Sequence, residues 1–316
     1  MKYREDPISQ LTNSVVRLEC ISAKRETSYG SGFFFRFLEN DDGWVPAIVT
    51  NRHVTKGAVS GVFHITRRAS NGTPDFGNYE KIVTNSLQKL IIYHPDPTVD
   101  LAVILLGPIL SQWAHDPNRF FFVTLNRDNL ANTDLLDSLT PMESVVMPGY
   151  PNGLWDEKHN MPIIRRGITA THAAVDLNGK PEFLIDAACF PGSSGSPVFL
   201  ADIGSYTSNM GGLAIGNRLA LLGVLYAGPQ FTSQGEVIRV VPTSTDFIAI
   251  SQSMMNLGYV IKAEKILDFE DEIARHETGL VSKKSGSTVA SSATRSSPCP
   301  CGSGKRFKHC CGSLAS

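Results

Sequence analysis

The chain has 316 residues, 42% of them hydrophobic and 19% charged, with a formal net charge of −1. That length suffices for one large or two ordinary domains with a sizeable core, and the near-neutral balance gives no global attraction toward nucleic acid or an anionic membrane. No apolar run reaches the roughly 18 residues of a membrane span, and the polar start MKYREDPISQLTNSVV lacks the apolar segment of a signal peptide. The expectation is a cytoplasmic protein with no membrane span.

Residues 11–105 carry short β-favouring runs (SVVRLECI, GSGFFFRF, VPAIVT, GVFHIT, QKLIIYH, DLAVILL) separated by turn-rich stretches such as ENDDG and SNGTPDFGN. Regular spacing of short strands points to an all-β sandwich or barrel. Residues 106–118 read as a crossover connection. A second set of β-runs follows (FFFVTL, ESVVMPG, PIIRRGITATHAAV, EFLIDAA, SPVFL, LALLGVLYAG, EVIRVVPT), so two β-modules of similar size are expected, at about 12–105 and 119–243.

Beyond them, Phe247, Ile248, Ile250, Met254 and Leu257 recur near helical spacing, which predicts a helix over about 244–257 that closes a domain ending near 262. Ser244 or Thr245 would cap it and Gly258 would end it. Residues 263–278 read as a second, acidic helix. Residues 279–297, rich in Ser, Thr and Ala, read as a flexible linker. Residues 298–316 form a separate Cys-rich unit. Four of the six cysteines crowd there, with Cys20 and Cys189 isolated. Clustered cysteines without a signal peptide point to a reducing compartment and a metal rather than to disulfides.

Three segments carry chemistry, in the order His, Asp, Ser. In 48–54 (IVTNRHV) an apolar strand ends in a polar turn presenting His53. In 99–103 (VDLAV) Asp100 begins an apolar strand. In 190–198 (FPGSSGSPV) a Gly-rich turn presents a serine before a strand. Each alone is commonplace in turns and strand ends, and the weight rests on their joint occurrence, in order, on an all-β background. The α/β-hydrolase elbow fits less well, because Ser196 stands where Gly-x-Ser-x-Gly needs glycine and the chain order is wrong.

With these residues the chain resembles the chymotrypsin-like serine peptidases, and within them the bacterial branch that includes the HtrA proteases. The stretch 186–197 (DAACFPGSSGSP) carries the likeness most densely. The resemblance spans about residues 12–250. It implies two six-stranded antiparallel β-barrels with the active site between them, and a serine endopeptidase that needs no cofactor for catalysis and acts on a protein or peptide. Ser194 would be the nucleophile, His53 its base and Asp100 the group that orients the imidazole. Histidine suits the base role because its charge changes near neutrality. The backbone N–H groups of Gly192 and Ser194 would form the oxyanion hole. Ser193 stands where secreted, zymogen-activated relatives carry an acid, which argues against activation by a newly cut N-terminus. By the same resemblance, Ala188, Tyr226, Ala227, Gly228 and Gly235 would shape the pocket for the residue before the scissile bond. None is charged, which favours small or medium apolar side chains.

The tail reads Cys299-Pro300-Cys301, eight residues, then Cys310-Cys311. Four thiolates make a closed tetrahedral structural site for Zn²⁺, and a unit this short needs the metal to fold. It closely resembles the SEC-C zinc-binding motif, which implies Cys299, Cys301, Cys310 and Cys311 as ligands and a contact module for a partner. Lys305, Arg306 and Lys308 make it basic. A protein partner is favoured over nucleic acid, because three charges on a small knuckle form an ordinary solvated face. The rival reading is a latent or catalytically silent protease-fold binding module controlled by a partner. Segment 201–217 (ADIGSYTSNMGGLAIGN) is a candidate control loop or simple decoration.

Overall fold

The computed structural model describes residues 6–41, 43–116, 118–207, 211–228, 230–236 and 248–285, with the backbone alone for 230–236, 248–254 and 278–285. The chain opens with helix α1 (Pro7–Asn13), capped by Asp6, whose carboxylate accepts from Ser9 N–H. Strands β1 (Val15–Ser22), β2 (Thr27–Asn40) and β3 (Gly43–Thr50) follow, then the one-turn helix α2 (Arg52–Thr55). Next come β4 (Ala58–Arg68), β5 (Pro74–Thr84), β6 (Ile91–Tyr93) and β7 (Ala102–Leu105). These seven strands form one antiparallel sheet in the order β5-β4-β1-β2-β3-β7-β6.

Short helix α3 (Gly107–Leu110) lies in the expected crossover, and α4 (Thr133–Ser138) lies within the span expected for the second module, so the connection runs on to Ser144. The second half contains β8 (Ser144–Gly149), β9 (Ile163–Thr169), β10 (Glu182–Asp186), β11 (Pro197–Asp202), β12 (Ser205–Thr207), β13 (Leu213–Ile215), β14 (Arg218–Ala227), β15 (Gln230–Glu236), β16 (Ile248–Met254) and β17 (Leu257–Lys262). Six of these close into a barrel, β10-β17-β14-β11-β8-β9, while β12–β13 and β15–β16 are two-stranded ribbons. A 3₁₀ stretch (Ala263–Phe269) leads into helix α5 (Glu270–Ser285). Glu270, Asp271 and Glu272 in its first turn complement the positive end of the helix dipole.

Alternation along the strands decides the packing. Phe33, Phe35, Phe37, Ala47, Val49, Val103 and Leu105 share a core with Phe199, Leu221, Val224 and Ile261 of the barrel. The intervening Phe34, Ile48 and Ile104 face the opposite way, into a core with Leu18, Phe63, Ile65 and Phe120. Val145, Met147, Phe183, Ile185, Val198 and Leu200 fill the barrel. The sheet is therefore apolar on both faces, one lining its own concavity and one packed on the barrel.

Three expectations need correction. The first module is a seven-stranded sheet whose described ladder does not join β5 to β6, not a six-stranded closed barrel. Its concavity is plugged by side chains instead. Leu87, from the 3₁₀ turn between those strands, is fully buried and lies so close to Gly61 that a Cβ there would come within 2.8 Å of it. The helix expected over about 244–257 is absent from 248–257, where β16 pairs with β15 and β17 begins. Ile248, Ile250 and Met254 satisfy a period of two as well as a helical one, and short apolar runs cannot separate the two. The acidic helix runs on to Ser285, into the stretch read as linker.

Candidate active site

Strand register sets the first two residues of the site. Thr50 at the end of β3 pairs with Ala102 at the start of β7, so the residues just outside the ladder, 51–53 and 100, fall side by side. Asn51 Nδ2 donates to the Asp100 carbonyl at 2.8 Å, and Arg52 N–H does so at 3.3 Å. With its backbone held, the Asp100 carboxylate faces His53. Oδ1 accepts from His53 N–H at 2.9 Å, and Oδ2 lies 2.5 Å from His53 Nδ1. One carboxylate thus fixes both the main chain and the ring of the histidine, leaving Nε2 as the edge turned from the acid. The imidazole is half-exposed (48%), open to an incoming substrate.

The third residue arrives through contact between sheet and barrel. Thr50 Oγ1 donates to the Ser31 carbonyl at 2.7 Å, and Ser31 N–H donates to the Ser194 carbonyl at 2.8 Å. The approach is so close that a Cβ on Gly195 would sit 1.9 Å from Ser31 O and 2.6 Å from Thr50 Oγ1. Glycine is obligatory there, and its φ of +87° agrees. His53 lies three residues beyond Thr50 and Ser194 next to Gly195, so this stitch brings them to one cavity of about 390 Å³. The Ser194 hydroxyl donates to the Tyr226 carbonyl at 3.3 Å. Among the described residues no hydrogen bond joins it to His53.

The turn before Ser194 has defined geometry. Ser193 N–H donates to the Phe190 carbonyl at 3.0 Å with Gly192 at φ +82°, the positive third position of a type II turn. The Pro191 carbonyl accepts from Asn152 N–H at 2.5 Å. Because a trans peptide is planar, the Gly192 N–H points the opposite way, away from residues 150–153. A side chain on Gly192 would meet Tyr150 O at 2.8 Å.

The cavity also takes in Leu225, Ala227, Gly228, Cys189 and Tyr29. Burial pushes the Cys189 thiol up to about 11, so this wall is neutral near pH 7. Three expected pocket residues, Ala188, Tyr226 and Gly235, are not among those lining it. Ala188 lines a separate cavity with Asp186, Arg166 and Asn256. The Tyr226 ring turns to Glu182, donating its hydroxyl at 2.9 Å. That bond and burial raise its pKa. Gly235 sits in β15 opposite Ala249. Of the other histidines, His94 is buried with Nε2 3.2 Å from Asp268 Oδ2, and His172 Nε2 faces the Leu139 carbonyl at 3.0 Å.

Arg165 and Asn152, both tied to the nucleophile turn, were missed in the sequence. Asn152 left a signal in its Pro-Asn-Gly turn, whose left-handed φ of +50° asparagine tolerates. Arg165 left none, because a charged residue in a strand reads as solvent-facing. Cys299, Cys301, Cys310 and Cys311 lie outside the described residues. Among the described residues, no group of three or more His, Cys, Asp or Glu could hold a metal ion.

Residues 30–205, more than half of the chain, match the model of the trypsin-like peptidase domain. The chain belongs to the trypsin-like peptidase family. Outside that trypsin-like domain, residues 295–313 match the SEC-C motif. Among solved structures, the trypsin-like fold here is similar to the HtrA-type protease AlgW with tripeptide, at 18% identity over 85% of this chain and 63% of that one, TM-score 0.46. It is also similar to a serine endoprotease from Yersinia pestis, at 16% over 86% and 68%, TM-score 0.43. The tobacco etch virus protease complexed with product aligns at 12% over 72% and 73%, TM-score 0.40. No curated protein matches the sequence.

Proposed function

We propose that the protein is a serine endopeptidase in which Ser194 attacks the scissile carbonyl, His53 accepts its proton and Asp100 orients the imidazole. The observation that carries this reading is the pair of contacts from one Asp100 carboxylate to His53 N–H and Nδ1, at the edge of the cavity that Ser194 also lines. The Gly192 and Ser194 N–H groups would receive the negative charge of the tetrahedral intermediate. His53 would return its proton to the leaving amine, and water would then hydrolyse the acyl-enzyme. The cavity's apolar Leu225 and Ala227 and neutral Cys189 favour a small or medium apolar residue before the cleaved bond.

The C-terminal residues supply a second part of the proposal. Four closely spaced thiols match the donor set of a structural zinc site, and Cys299, Cys301, Cys310 and Cys311 would hold it. The knuckle would dock the peptidase on a partner protein, where tethering raises the local concentration of substrate. The near-neutral chain and the buried free thiols of Cys20 and Cys189 fit a reducing, cytoplasmic setting.

One observation favours a second reading, a latent form awaiting a partner. The Ser194 hydroxyl is committed to the Tyr226 carbonyl and must rotate to engage His53. Catalytic hydrogen bonds often tighten only with substrate in place, so active and latent forms differ by a rotamer. A fluorophosphonate probe tests both. Labelling of the full chain should fall by about 10³-fold or more in Ser194→Ala and His53→Ala. Equal labelling in either variant would sink the triad assignment, and labelling of wild type only after a partner is added would establish latency.

A further inference from the structure

Arg165 projects from β9, opposite Met147 of β8. Its Nη1 donates to the Ala188 carbonyl at 2.6 Å and to Ser193 Oγ at 2.8 Å. Among the described residues, Nε and Nη2 are buried without a hydrogen-bond partner. Among the described residues no carboxylate lies within ion-pair distance of it. Burial holds its pKa below the ordinary arginine value. A largely buried guanidinium without a counter-ion carries a desolvation cost, so its placement needs a reason.

Its two acceptors identify that reason. Ala188 and Ser193 bracket the turn that bears the Gly192 N–H, and a single nitrogen of Arg165 joins both ends. Ser193, almost fully buried, also accepts from Phe190 N–H at 3.3 Å. The hydroxyl is thus the knot between the turn's own backbone and the barrel wall. On the far side Asn152 holds the Pro191 carbonyl. The turn is fixed from beneath by a side chain and from the flank by backbone.

We infer that Arg165 is a positioning residue, an internal cation that pins the 188–193 turn with its oxyanion N–H already aimed. No charge has to be delivered to residue 193 from elsewhere, because the pin belongs to the chain itself. The catalytic consequence rests on the peptidase reading above; the pinning does not.

Two readouts on the full chain separate these. Hydrogen exchange at residues 189–194 should quicken by about 10-fold or more in Arg165→Met, while exchange in β11 stays unchanged. On an apolar peptide substrate, kcat should fall about 10- to 100-fold with KM within about 3-fold, because a preorganised donor acts on the transition state rather than on binding. Arg165→Lys, which keeps one cationic donor, should recover part of both. Unchanged exchange in Arg165→Met would overturn the pin, as would a loss seen equally in kcat and across the whole barrel's exchange. Should Arg165→Met fail to fold, Arg165→Gln, which removes the cation and leaves the Ser193 hydroxyl with its Phe190 N–H bond in place, must reproduce the local exchange increase. A wild type in which Ser194 takes no probe with or without a partner fails the peptidase reading, while the exchange measurement still decides the pin.

Discussion

At the scale of single residues, the site depends on where side chains are forbidden and where protons are withheld. Gly195 and Gly192 occupy positions where a Cβ would overlap Ser31 O or Tyr150 O, so neither turn beside the nucleophile tolerates substitution. Cys189 and Cys20 illustrate the second point. Burial raises their thiols to about 11 and about 12. In the unfolded chain a thiol ionises near pH 8.5–9, so the stability these groups contribute is fully present below that pH. It is lost as pH rises toward their folded values, because only the unfolded chain releases the protons. The urea midpoint in reducing buffer should therefore decline from about pH 9 upward, and Cys189→Ala should flatten the decline. Alkylation mapped by mass spectrometry should leave Cys20 and Cys189 unmodified at pH 8 until urea unfolds the protein. Ready modification of the native chain would contradict their burial.

At the scale of elements, the C-terminal segment braces the catalytic edge of the sheet. Phe269 is fully buried at the end of its 3₁₀ stretch, packing edge-on against His94 at 5.3 Å and against Phe37 at 6.4 Å between ring centroids. Glu270 pairs with Arg127 at 2.7 Å. His94 in turn accepts from Arg52 Nη2 through its carbonyl and donates its N–H to Leu101 O, contacting the neighbours of His53 and Asp100. Phe269→Ala should cost about 3–5 kcal/mol, read as a lowered urea midpoint. A loss below about 1 kcal/mol would mean that the segment merely lies on the surface. Most strands of both halves and the three chemistry-bearing turns were legible in the sequence, because each combines a short apolar run with a local turn signal; the run FFFVTL was not, since 120–125 forms no strand and bonds instead to Thr66, Asn13 and Phe34 of the first half. The helix expected at 244–257 was not, since Ile248, Ile250 and Met254 fit either period and the partner β15 that decides between them is not local.

At the scale of the whole molecule, one apolar core joins sheet and barrel, and two more fill the sheet and the barrel separately. Under the proposed zinc reading, a Cys-rich unit of this length, too short for a core of its own, would draw its folding energy from metal. Metal analysis of the purified chain should find one zinc per chain. Cys301→Ser or a strong chelator should remove it, while the urea midpoint of the peptidase domain and Ser194 labelling hold within error. A fallen midpoint would mean that the knuckle packs on the domain. The sequence by itself determined the all-β character, the order of His53, Asp100 and Ser194, and the cysteine spacing, because these rest on local periodicity, turn chemistry and ligand count. Only the tertiary structure decided that the first module stays an open sheet plugged by Leu87, that the Tyr226 ring points to Glu182 while its carbonyl meets Ser194, and that Arg165 is drawn inward beneath the nucleophile turn. Each of these depends on which distant groups come within a few ångströms, and no local pattern encodes that.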